Sequence, residues 1–85
     1  MTKFLTVSAL VLMPLSAVAM PTVGDIMGTD PEQATAALEA AGCMAPEFEA
    51  EDGKIEAKCH DEANNHWEVY IDPQTGAVAK VKADD

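Results

Sequence analysis

WEVYIDPQTGAVAKVK, residues Trp67–Lys82, holds two extended runs joined by a turn, and its reading decides the fold. Trp67, Val69 and Ile71 alternate with His66, Glu68 and Tyr70, the period-two pattern of a strand with one apolar face. The turn is Asp72 to Gly76. The Asp72 carboxylate can accept from amides ahead of it, Pro73 presets φ for the first turn position, and Thr75 precedes a Gly76 that tolerates the left-handed conformation closing a four-residue loop. Beyond it, Val78 and Val81 lie an odd number of residues apart. A bulge near Ala79 would turn both inward.

Upstream, Asp52-Gly53 is a dipeptide favoured in two-residue type I′ turns. That turn sets a register. Its outward pairs are Glu47 with Lys58, Glu49 with Glu56 and Glu51 with Lys54; its inward pairs are Ala50 with Ile55, Phe48 with Ala57 and Pro46 with Cys59. Charge and hydrophobicity agree on it, and a slip by one residue destroys both.

Ahead of this hairpin a helix is predicted over Pro31–Ala41. Asp30 is its N-cap, Pro31 occupies the first position, Gln33 can complete a capping box and Gly42 supplies the stop. Ala34, Ala37, Leu38 and Ala41 form a narrow apolar stripe suited to a flat sheet face. Residues 20–29 lack a clear period and read as an arm, docked through Ile26 or Met27. The predicted class is therefore α+β: one helix packed on an antiparallel β-meander of two hairpins, with a core of Leu38, Phe48, Ile55, Trp67, Val69, Ile71 and Val78.

Residues 1–19 read as a cleaved signal peptide. Lys3 precedes an apolar run from Phe4 to Leu15, and Ala17-Val18-Ala19 presents small residues where a signal peptidase cuts, so cleavage is expected after Ala19. The run is too short to span about 30 Å of hydrocarbon. The expected destination is the periplasm or the exterior. Loss of Lys3 leaves four lysines facing fifteen carboxylates, on a chain whose formal net charge is −10. That field repels nucleic acid and anionic lipid and attracts a basic partner or divalent cations.

The EQA start of the helix (Glu32 to Ala34), its LEAAG end (Leu38 to Gly42), the EDGKIEAK hairpin (Glu51 to Lys58) and the closing VYIDPQTGAV (Val69 to Val78) together resemble the PepSY domain of peptidase propeptides. The resemblance runs over residues 30–82. It implies an α+β fold, an envelope or extracellular location and a protein partner, with a peptidase the natural candidate. Similar modules form part of the inhibitory and chaperoning propeptides of thermolysin-type metalloproteases. Asp72, Thr75, Gly76 and Val78 carry over as turn and core positions, none of them catalytic. No protease domain follows within these 85 residues, so a target would be met in trans.

Three constellations could carry chemistry. Cys43 and Cys59 are an even pair in a small exported chain, which favours a disulfide. Against it, a straight strand puts Cys59 opposite Pro46, roughly 10 Å from Cys43, and a kink near Pro46 would have to close the gap; two free thiols are the alternative. His60, Asp61, Glu62 and His66, with Cys59, are ligand types for zinc or copper, although a polar loop between hairpins collects such residues anyway. Glu49 and Glu56 form a like-charge pair of the kind that raises one carboxyl pKa, but on an open sheet surface they lack a cleft for catalysis. No nucleophile–base arrangement or phosphate loop is present. The expectation is a non-enzymatic envelope module without an obligatory cofactor. A metal-ion or small-ligand binder using the His60–His66 loop is the second reading.

Overall fold

A computed structural model describes residues 20–84; the expected signal peptide and its cleavage site lie outside them. One helix, α1 (Pro31–Ala40), is followed by four strands, β1 (Met44–Glu51), β2 (Lys54–His60), β3 (His66–Ile71) and β4 (Val78–Ala83). The strands form one antiparallel sheet in the order β1-β2-β3-β4, a meander with α1 on one face. No helix among the described residues is long and apolar enough to cross a membrane.

Local chemistry explains each boundary. The Asp30 carboxylate accepts from the Gln33 amide at 3.1 Å, capping α1 with Pro31 in its first turn. The reciprocal half of the expected capping box is not formed among the described residues: the Gln33 side chain lies over Gly28 instead. At the other end the Cys43 amide donates to the Leu38 carbonyl at 2.9 Å and the Gly42 amide to Glu39 at 3.0 Å. With Gly42 at φ +101°, this is a Schellman stop. Ala41 is the C-cap, so the helix ends one residue before the predicted limit.

Both turns follow their residues. Asp52 and Gly53 have φ of +46° and +79°, the type I′ signature. In the second turn the Gln74 and Thr75 amides donate to Asp72 Oδ1, at 2.7 and 3.2 Å, while the Gly76 amide reaches the Asp72 carbonyl at 2.8 Å. Thr75 contributes its hydroxyl, which accepts from the Ala77 amide at 3.1 Å.

The β1–β2 register matches the charge-derived pairs from Glu47–Lys58 through Glu51–Lys54. It departs at Pro46. The ladder shifts between Met44 and Glu47, so Ala45 and Pro46 together oppose Cys59 and Met44 stands across from His60. Ala45, at φ +50°, supplies the bend. The extra residue bends the strand and leaves the Cα atoms of Cys43 and Cys59 only 5.2 Å apart, joined as a disulfide. A second shift, between Tyr70 and Ile71, pairs Ile71 with Val78 and Val69 with Val81, leaving Ala79 as the extra residue. Val78 is buried and Val81 half-buried, as the odd spacing required.

The core is smaller in side-chain volume than the sequence implied. Leu38, Val69, Ile71 and Val78 are buried, together with Met27, Ala34, Ala57 and both half-cystines, while Phe48, Ile55 and Trp67 are only partly covered. The reason is geometric: a ten-residue helix cannot roof four strands, so large residues toward the β1 edge and the sheet's ends keep one side open. The arm is docked through Met27, not Ile26, which is 64% exposed. Ile26 bridges Ala77, and the Val78 amide donates to the Asp25 carbonyl at 2.8 Å, so the arm covers the start of the β4 edge.

Candidate functional site

Two surfaces of the sheet differ sharply. On the face away from α1, the alternation that buries Ala57, Val69 and Ile71 turns Glu56, Lys58, Glu68 and Tyr70 outward. Glu56 does not sit in open solvent as expected: it is 4% exposed. It lies on a central strand, directly between Glu49 of β1 and Tyr70 of β3. The Tyr70 hydroxyl is 2.8 Å from Glu68 Oε1 and 3.3 Å from Glu56 Oε2. A phenol carries one proton, and the shorter contact takes it. The Tyr70 hydroxyl therefore sits between two carboxylates, closer to Glu68 than to Glu56.

The electrostatics agree with this order. Burial, then the Glu68 charge, pushes the Glu56 carboxyl up from the ordinary range. The Tyr70 hydrogen bond holds Glu68 down, helped by Asp84 and by Lys82, whose ammonium is 3.7 Å away. The Tyr70 hydroxyl is pushed far up by donating to Glu68. Lys80 lies 5.0 Å above the Tyr70 ring. Glu49, Glu51 and Glu56 also bring a carboxylate oxygen each within 4.8 Å of one another, a donor set of the kind hard cations take.

A raised folded-state pKa means that the native protein holds a proton that the unfolded chain releases, so Glu56 costs stability as pH rises through its folded value. Glu56→Gln keeps an amide oxygen that can accept from Tyr70 and removes that cost. Its melting temperature is expected to exceed that of the parent at pH 7, the difference shrinking toward pH 4. A constant difference across that range would show that Glu56 ionises freely.

On the helix side, Phe48, Ile55, Ile71, Pro31, Ala34 and Pro73 line an apolar groove of about 260 Å³ beside the N-terminus of α1, with Asp30 and Asp72 at its border. Among the described residues β1 has no partner on its outer side. Because the two-residue turn makes Glu51–Lys54 a hydrogen-bonded pair and such pairs recur every second residue, Glu49 and Glu47 also face β2. Phe48 and Ala50 therefore present their amide and carbonyl groups to the free edge, next to the groove.

The four residues singled out between the hairpins occupy three different environments. Asp61 builds the loop. Its carboxylate accepts from the Trp67 indole at 3.0 Å and from the Ala63 and Asn65 amides at 3.0 and 2.8 Å, which holds its pKa down, the indole contributing most. Glu62 is exposed beside the end of α1. His60 and His66 are brought together as a cross-strand pair with ring centres 6.1 Å apart. The turn residues Asp52, Gly53, Asp72, Pro73, Thr75 and Gly76 all act on the backbone. Burial of Glu56 was missed; the one available signal was its place midway along a strand flanked by two others.

No curated protein and no solved structure matches the chain. A family model described as peptidase propeptide and YPEB domain matches residues 3–82. That span exceeds the 30–82 stretch carrying the motifs and takes in nearly the whole chain. With the helix-on-meander fold and its two turns in place, the chain belongs to the PepSY family of peptidase propeptide and YPEB domains.

Proposed function

We propose that this protein is a non-enzymatic, exported binding module that takes up an extended segment of another envelope or secreted protein along the free edge of β1. A peptidase is the partner class that family membership favours. The observation that carries the reading is the juxtaposition of an unpaired strand edge with an apolar groove. Backbone pairing supplies affinity in strand addition and side-chain pockets supply selectivity. A segment lying beside Phe48 and Ala50 can place an apolar side chain among Phe48, Ile55 and Pro31. Glu47, Glu49 and Glu51 along the same strand select for lysine or arginine in that segment. The disulfide supports an oxidising compartment. Damping of the bound peptidase is the regulatory role this geometry suits, because an occupied edge strand holds its segment extended and out of reach.

Affinity capture from the envelope fraction tests the reading, with Ala50→Pro as the comparison. Proline at Ala50 removes one outward amide and no β1–β2 hydrogen bond, and edge strands tolerate it. The parent protein is expected to retain a recurrent protein partner, and Ala50→Pro to lose at least about tenfold of that capture, roughly 1.4 kcal/mol of binding, while still folding. Equal capture by both would place the contact elsewhere and defeat the edge-strand mechanism.

A further inference from the structure

We propose that His60 and His66, with Met44 across from His60, form a copper site on the sheet end remote from the two hairpin turns. The ladder aligns these residues from three successive strands: Met44 opposes His60, and His60 opposes His66. Directly opposed residues share one face of a sheet. The alignment depends on the Ala45–Pro46 bulge, without which Ala45 would oppose His60 and Met44 would fall out of line.

The distance suits a shared ion. With metal–nitrogen bonds of about 2.0–2.1 Å and each ring centre roughly an ångström behind its nitrogen, two imidazoles on one ion have centres about 5–6 Å apart. The observed 6.1 Å, with planes tilted by 45°, lies at the wide edge of that range. The donor set then selects the metal. Imidazole suits copper and zinc alike, but a thioether is a soft donor that favours Cu(I) and adds little for Zn(II). Met44 is 38% exposed on an unbranched, flexible side chain. Both cysteines are committed to the disulfide, so neither competes as a thiolate. Asp61, occupied by the indole and two amides, contributes no ligand either. The acidic surface concentrates cations near the site without supplying its ligands.

The test is anaerobic titration of the purified, disulfide-intact protein with Cu(I) in ascorbate against a chromophoric chelator, with Zn(II) titrated in parallel. The expected result is one equivalent of Cu(I), with the His60 and His66 imidazole NMR resonances shifting together in the unaltered protein. His60→Ala combined with His66→Ala should lose the equivalent, and Met44→Leu should weaken Cu(I) at least about tenfold while leaving Zn(II) unchanged. Less than a tenth of an equivalent, undiminished binding by the double histidine variant, imidazole resonances that stay in place, or equal Cu(I) affinity in Met44→Leu would each overturn the three-ligand copper site. Thermal unfolding of the metal-free variants checks that they fold; the resonance measurement needs no substitution.

Discussion

Replacing Cys43 and Cys59 with alanine is expected to remove about 3 kcal/mol of stability. In the chain-entropy picture a bridge closing a loop of about 15 residues restricts the unfolded chain by that amount, and the sequence separation here is 16. In a domain this small that is a large share of the total, equivalent to a fall of more than about 10 °C in Tm. Both half-cystines are also buried in the core, between the end of α1 and β2. Losing the bridge therefore frees the Schellman stop from the sheet as well as lengthening the unfolded loop. Thermal unfolding of the double variant, and of the parent with and without reductant, measures it. An unchanged Tm, or two thiols titrating in the native protein, would dismiss the bridge as a stabilising element.

Gly76→Ala is the second large effect. A methyl group at Gly76 would stand 2.7–2.8 Å from the backbone N, Cα and C of Gly28. Backbone cannot swing aside as a side chain can. Gly76 also has φ +76°, where a residue with a Cβ pays about 1–2 kcal/mol. Overpacking adds about 1–3 kcal/mol, so the expected loss is about 2–5 kcal/mol. The arm leaves first. The Met27 amide donates to the Gly76 carbonyl at 2.7 Å, and buried Met27 follows that bond. Gly53→Ala is the matched control: its φ is +79°, yet its methyl would meet nothing within 4 Å. It should cost only the conformational part and leave Met27 protected from hydrogen exchange. Equal destabilisation by the two substitutions, with Met27 protected in both, would mean that arm and turn are not packed together.

The buried carboxylate cluster and the edge strand bear on different properties. Glu56, Tyr70 and Glu68 govern how stability responds to pH, through a carboxyl buried on a central strand whose pKa is raised. Phe48 and Ala50 govern what can be added to the sheet, because their amide and carbonyl groups point away from β2 and β1 has no strand beyond it among the described residues. The first is a matter of burial and the second of unmet hydrogen bonds, and they lie on different strands.

Most of the fold was legible because it rests on short-range rules. Asp30-Pro31 and Gly42 delimit the helix, Asp52-Gly53 fixes a type I′ reversal, and Asp72 through Gly76 fixes the second one. Each requirement is met within about five residues. The charge pairs Glu47–Lys58 and Glu51–Lys54 then made one register favourable, and the odd spacing of Val78 and Val81 marked the Ala79 bulge. The Ala45–Pro46 bulge had a weaker signal, a proline near the cysteine gap, and its position could not be read.

What the chain alone determined was a helix, two hairpins and their pairing, since φ preferences, caps and side-chain alternation act between near neighbours. Only the tertiary structure decided that Glu56 is buried under Tyr70, that Met27 and not Ile26 docks on Gly76, that Cys43 meets Cys59, and that His60 faces His66 while Asp61 turns to the Trp67 indole. These depend on which strand lies beside which and on how far a ten-residue helix reaches over the sheet, and such distances are set by the packing of all the elements together.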